Sequence, residues 1–395
     1  MPIEPRFSYF LSQRNTSVLN DSKIWKTPLP LKRNPSGKDS QRITDTSISY
    51  GDYFSAVRSF LEKNSFNLLL SAIDHRINRK VNQEEVEEIQ TYLVKHGEFY
   101  HPARIVTIID GSSLSFVLNV AVSATGQDCI KREYKLLQRL NKDFPFSFLP
   151  EVYGQGKVYA KENLEINMLL GEWFLGFNEF HISYDKTDGR KKIIVWDFIK
   201  GNFFLSQTRS IELYRQSAMI LSYFYNTETF EQISPWHHAS GDFVLRLRSN
   251  KLDVKLITVR QYSSMFKNTN GIANGVRDAE LVLEAMLVFL LNLSIRMRLD
   301  RIDGVGPIVW SDDIAVKATL EGFFEALTLK HPISLLSDPI APCFRKHLLS
   351  CSESDVFDLS KGIVDAYNPL APEVPIIKQN LETHVEVLYN AMQNL

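Results

Sequence analysis

ARIVTIIDGSSLSFVLNVAVS (residues 103–123) followed by DCIKREYKLLQRLNKDF (residues 128–144) is the stretch on which the reading of the fold turns. Ala103–Ile109 is a short apolar run rich in β-branched residues. Asp110-Gly111 is a dipeptide that readily takes the positive-φ pair of a two-residue hairpin turn, and Ser113–Ser123 returns as a second strand. The next segment changes period. Ile130, Tyr134, Leu137 and Leu140 recur at helical spacing and form one apolar side, with lysines and arginines between them.

Toward the C-terminus, FLPEVYGQGKVYA (148–160) and EINMLLGEWFLGFNEFHISYD (165–185) read as further strands and turns. KKIIVWDFIKGNFF (191–204) reads as a buried strand leaving into a glycine-containing connector. Helices dominate from Ser210 onward: SIELYRQSAMILSYFYNTETF, AELVLEAMLVFLLNLSIRMRLD, DIAVKATLEGFFEAL and NLETHVEVLYNAM. A short strand pair interrupts them, GDFVLRL and VKLITV, joined by the polar turn Arg248–Asp253.

On the N-terminal side, residues 51–77 carry Phe54, Val57, Phe60 and Leu61 at helical spacing. VNQEEVEEIQTYLVKHG (81–97) has acids in its first turns and His96-Gly97 at its end, the charge order and glycine stop that favour a helix. Residues 1–48 are rich in Ser, Asn, Pro and Thr, hold eight Lys+Arg against four Asp+Glu, and read as an irregular, mildly basic arm. The division expected is therefore an arm (1–48), a helical subdomain (49–99), a β-rich lobe with one helix (100–200) and a mainly helical lobe with a short hairpin (201–395). An α+β bilobal architecture accounts for this order most economically.

Composition narrows the function. The chain has 395 residues, 44% hydrophobic and 23% charged, with a net charge of −1, so no global field draws it to nucleic acid or an anionic membrane. The most apolar helix candidate, Leu281–Ile295, is interrupted by Glu284 and is too short to cross a bilayer. Three cysteines, Cys129, Cys343 and Cys351, fit a reducing compartment. With no CxxC, and only His347 between the last two, no structural metal site is expected. The N-terminus lacks the apolar core of a secretory signal, so a cytoplasmic location is expected, although a bacterial protein secreted without a cleaved signal would read the same. GxSxG, GxGxxG and Walker A sequences are absent, as are RNA-binding aromatic motifs.

Several stretches together resemble the protein-kinase-like fold, most closely the aminoglycoside/choline phosphotransferase branch, over residues 100–330. REYKLLQRL looks like that family's glutamate helix, with Glu133 as the glutamate. FLPEVYGQG is similar to the step that follows it. IIVWDFIKG looks like the connector that holds adenine through its backbone, at Trp196, Asp197 and Phe198. WHHASGDFVLRL followed by VKLITVRQY looks like the catalytic hairpin, with Asp242 in the place of the base and His238 beside it.

The sequence departs from the family at charged positions. Asn119 stands where the strand should carry its lysine. Thr258 stands where a metal-binding Asp should end the second hairpin strand. Leu247 occupies the position five after Asp242, where the metal-binding Asn is expected. Phosphoryl transfer depends on cations placed around the phosphates. The resemblance thus implies ATP as ligand, while the departures argue against magnesium. The expected function is a degenerate kinase-like binding or regulatory module, a pseudokinase, taking a nucleotide or small molecule between its lobes and serving a protein partner. Its rival is an active nucleotide-dependent phosphotransferase using Asp242 with unusual metal ligands.

Simpler roles stand beside these. His237 and His238 are also readable as loop histidines stacked on Trp236, and Asp242 as a turn aspartate capping amides. With no lysine at 119, Glu133 is free to find Asn119 or Arg260. Arg296, Asp300 and Asp303 read as helix-surface ion pairs, and Ser311 or Asp312 as a helix cap.

Overall fold

The computed structural model describes residues 4–11, 16–30, 48–97, 99–236, 241–249, 251–265, 278–336 and 338–395. The chain divides into two compact units, Met1–Leu175 and Gly176–Leu395. The fold is α+β, with a seven-stranded mixed sheet in the first unit and mostly helices in the second.

The first unit runs β1 (Arg6–Leu11), β2 (Thr16–Ser17), α1 (Lys23–Lys26), α2 (Tyr50–Glu62), α3 (Asn67–Ile77), β3 (Val86–Leu93), β4 (Ala103–Ile109), β5 (Ser112–Ala121), α4 (Ala124–Asp143), β6 (Val152–Ala160) and β7 (Leu164–Glu172). The sheet order is β2-β1-β3-β4-β5-β7-β6. The β4–β5 hairpin forms as its sequence requires, with Asp110 and Gly111 at φ 50° and 69°. Phe116, Leu118 and Val120 alternate onto one face, where Tyr53, Phe54, Val57, Phe60 and Leu61 of α2 complete the main core. Burial of each such large side chain is worth about 1.5–3 kcal/mol. Ala121 and Leu169 share a smaller cluster with Ile130 of α4.

Two expectations fail here. Residues 86–93 form a strand, not a helix. Asn82 and Glu85 make a capping box around a single 3-10 turn, Gln83–Glu85, and that turn absorbs the acids that had suggested a helix start. Beyond it, Val86, Ile89, Thr91 and Leu93 are buried, with a bulge between Val86 and Glu88 shifting the alternation. The N-terminal arm is not wholly irregular either. β1 pairs in parallel with β3, with Tyr9 buried and Phe7 and Leu11 packed against the core.

The second unit runs β8 (Glu179–Tyr184), β9 (Lys191–Trp196), β10 (Phe203–Phe204), α5 (Gln207–Phe224), β11 (Glu231–Ile233), β12 (Phe243–Arg248), β13 (Lys251–Leu256), β14 (Tyr262–Ser264), α6 (Ala279–Arg296), β15 (Leu299–Arg301), β16 (Ile308–Trp310), α7 (Ile314–Thr328), α8 (Ile340–Ser350), α9 (Glu353–Asp365) and α10 (Val374–Gln393). The apolar helix α6 is buried along most of its length, and Phe289 stacks on Tyr225 at 4.3 Å. Helices α5 and α7 approach closely at Gly322, where any β-carbon would run into the Arg215 carbonyl oxygen. Among the described residues no helix is long and apolar enough to cross a membrane. The expected cap of α7 is displaced by one or two residues. Asp313 holds the N-cap position without a side-chain cap bond, and its Oδ1 instead accepts from Arg298 Nη2 at 2.7 Å.

Candidate functional site

The β12–β13 hairpin builds the site from paired backbone. Phe243 lies opposite Leu256, and the Ile257 N–H donates to the Asp242 carbonyl at 2.7 Å, extending the ladder by one residue. Asp242 therefore sits at the base of the hairpin across from Ile257, with Thr258 next in the chain. Gly241 precedes it at φ 82°, a left-handed conformation that glycine adopts without strain.

The Asp242 side chain is 1% exposed, and both its oxygens are taken by one guanidinium. Arg260 Nη1 donates to Oδ2 at 2.7 Å and Nη2 to Oδ1 at 2.5 Å. This two-point pairing is the strong, directional form of the ion pair. Leu247, expected to mark the second metal position, lies deep in the hairpin opposite Leu252. At ~3.3 Å per residue, five residues of strand put it about 16 Å from Asp242, too far to share an ion.

In the first unit, Asn119 on β5 lies directly opposite Leu169 of β7, half-buried, one residue out of phase with Leu118 and Val120 of the main core. Glu133 is fully buried on α4, and the Tyr100 hydroxyl donates to its Oε2 at 2.7 Å. The same hydroxyl is 2.9 Å from Cys129 Sγ. Burial, and then the Glu133 carboxylate, push the Tyr100 phenol far above its ordinary range, so it stays a donor. The glutamate position is thus served by a phenol from the segment before β4.

Trp196, Asp197 and Phe198 lie elsewhere than expected. The chain passes between its two units at Leu175–Gly176, so IIVWDFIKG is not the segment that joins them. β9 is paired along its length with β8 and returns as β10, which makes the segment a hairpin within the second unit. Asp197 Oδ1 accepts from the Ile199 and Lys200 amides, both at 2.9 Å, and Gly201 closes the turn at φ 89°. Phe198 is 55% exposed. Trp196 packs against His181 with ring centroids 4.1 Å apart and planes tilted by 49°. His238 lies outside the described residues, as does His237.

The second unit also holds polar residues whose burial their sequence context does not signal. Asp300, read as a helix-surface charge, is 4% exposed on β15, and its Oδ2 accepts the Ile182 N–H at 2.9 Å. Burial pushes its carboxyl up to about 7. His181 is 2% exposed and packs on Gly304, where a β-carbon would fall 2.5 Å from the ring. Arg298, 4% exposed, reaches the Ser311 carbonyl at 2.9 Å.

Magnesium, which the resemblance would bring, does not fit the hairpin base. Asp242 presents both oxygens to Arg260, and Thr258 and Leu247 offer no charge. Among the described residues, no group of three His, Cys, Asp or Glu is placed to hold a metal. No protein-family model matches the chain, and no curated protein matches it in sequence.

Proposed function

We propose that the protein is a kinase-like binding or regulatory module, a pseudokinase, whose nucleotide site no longer carries out phosphoryl transfer. The observation that carries this reading is the Asp242–Arg260 fork. A general base must be reached by its substrate and a metal ligand by its ion, and here the carboxylate is 1% exposed with each oxygen accepting from a guanidinium. The uncharged residues at 119 and 258 support it, and so does the phenol on Glu133. The ligand class this favours is a nucleotide or similar small molecule, read out to a protein partner in the cytoplasm. Nucleic acid and membrane are not expected as targets, given a net charge of −1.

A thermal-shift titration with ATP, with and without Mg²⁺ or Mn²⁺, tests this. No metal-dependent rise in Tm is expected. A clear metal-dependent rise that disappears in Asp242→Ala would instead identify an active phosphotransferase.

A further inference from the structure

We propose that the C-terminal helical hairpin, α9 and α10, is the face through which two copies of this chain associate, each copy's Leu370 seating in the other's α9–α10 groove. The inference does not depend on the kinase-like reading above. The groove between the two helices has a volume of about 230 Å³. Its apolar lining is Phe357, Val364 and Leu381, and its charged lining is Lys361 and Asp365 of α9 with Lys378 and Glu382 of α10. The loop that joins the helices carries the matching projection. Leu370 is 88% exposed, yet the turn that holds it is fixed. The Leu370 N–H donates to Asn368 Oδ1 at 3.0 Å, the Ala371 N–H to the Asn368 carbonyl at 2.9 Å, and the Tyr367 hydroxyl to Asn292 Oδ1 of α6. Pro369 and Pro372 restrict the backbone on either side. One exposed leucine is ordinary on a surface. A leucine held out by a fixed turn, however, loses little conformational freedom on binding.

Projection and groove on one hairpin are what a two-fold contact requires, because the same patch must both insert and receive. The charged lining agrees with a second copy as the occupant. It holds two cations and two anions, which a two-fold axis can set against their opposites, whereas a rim of one sign would repel its own copy. Gly362 is an independent sign. It lies inside α9 on the exposed side, and a β-carbon there would meet nothing within 4 Å among the described residues. Glycine is among the poorest residues for a helix interior. The chain's own packing does not call for it here, in contrast to Gly322. The space it leaves suits the close approach of a second backbone.

Sedimentation velocity of the full chain, from about 1 to about 100 µM, tests this. The expected result is a concentration-dependent shift to twice the mass of the chain. Leu370→Asp and Gly362→Gln, both at exposed positions, should each weaken self-association about tenfold or more while keeping the far-ultraviolet circular dichroism of the native chain. A monomer at every concentration overturns the inference and gives the groove to some other occupant. A dimer that either variant leaves unchanged also overturns it, by placing the interface elsewhere.

Discussion

Arg260 and Asp242 are 18 residues apart in sequence and meet only because the β12–β13 hairpin folds one strand back on the other. Removing one partner of a buried pair costs far more than the pair itself contributes, because a naked charge is left inside. Arg260→Ala should therefore lower unfolding free energy by about 3–5 kcal/mol in urea titration, with most of it restored in Asp242→Asn/Arg260→Ala. Equal losses in the single and double variants would mean the pair is a surface contact. Asp300 makes the opposite kind of claim. Its folded carboxyl is raised to about 7 by burial, against an ordinary unfolded value near 4. Such a group contributes stability below its unfolded value that is lost as pH climbs through the folded one. Asp300→Asn, which keeps an acceptor for the Ile182 amide, should thus gain on the native chain by a few kcal/mol between pH 4 and pH 8. Parallel pH profiles for the two proteins would contradict this.

At the scale of elements, local chemistry was readable where sequence neighbours decide the outcome. Asp110-Gly111 specifies its turn, and Phe54, Val57, Phe60 and Leu61 specify the buried face of α2. The strand at 86–93 was hidden for the reverse reason. A bulge between Val86 and Glu88 breaks the alternation, and the acids before it satisfy a helix pattern as well as they satisfy a capped 3-10 turn. Its partner β1 pairs with it across some 80 residues, a distance at which no periodicity signals a contact. The Phe7–Tyr9–Leu11 alternation was the available clue. Asp242, Thr258 and Glu133 were singled out through the resemblance alone, the first two in the second unit and Glu133 in the first. The Tyr100 phenol and the Arg260 fork were not, since both depend on where separate elements come to rest. Gly322 belongs to the same category. It is one small residue in α7 that lets the Arg215 turn of α5 approach, so Gly322→Ala should cost about 1–3 kcal/mol and lower Tm by several degrees. An unchanged Tm would show that the two helices are free to separate.

Across the whole molecule, the ionic apparatus that the resemblance implies is altered twice, independently. In the first unit the expected lysine is Asn119, and Glu133 accepts from a tyrosine of its own unit. In the second, Asp242 accepts from an arginine of its own hairpin. Each carboxylate thus has a hydrogen-bond partner within its own unit, a neutral phenol for Glu133 and a guanidinium for Asp242. With the Asp242 carboxylate paired to Arg260, the hairpin base is expected to recruit no divalent ion. Electron paramagnetic resonance of Mn²⁺ titrated into the full chain, with and without ATP, tests this most directly, because the free ion is counted by its signal. The account predicts that the chain leaves the free Mn²⁺ signal at the level set by buffer and nucleotide alone. One Mn²⁺ bound per chain, and released by Asp242→Asn, would contradict it.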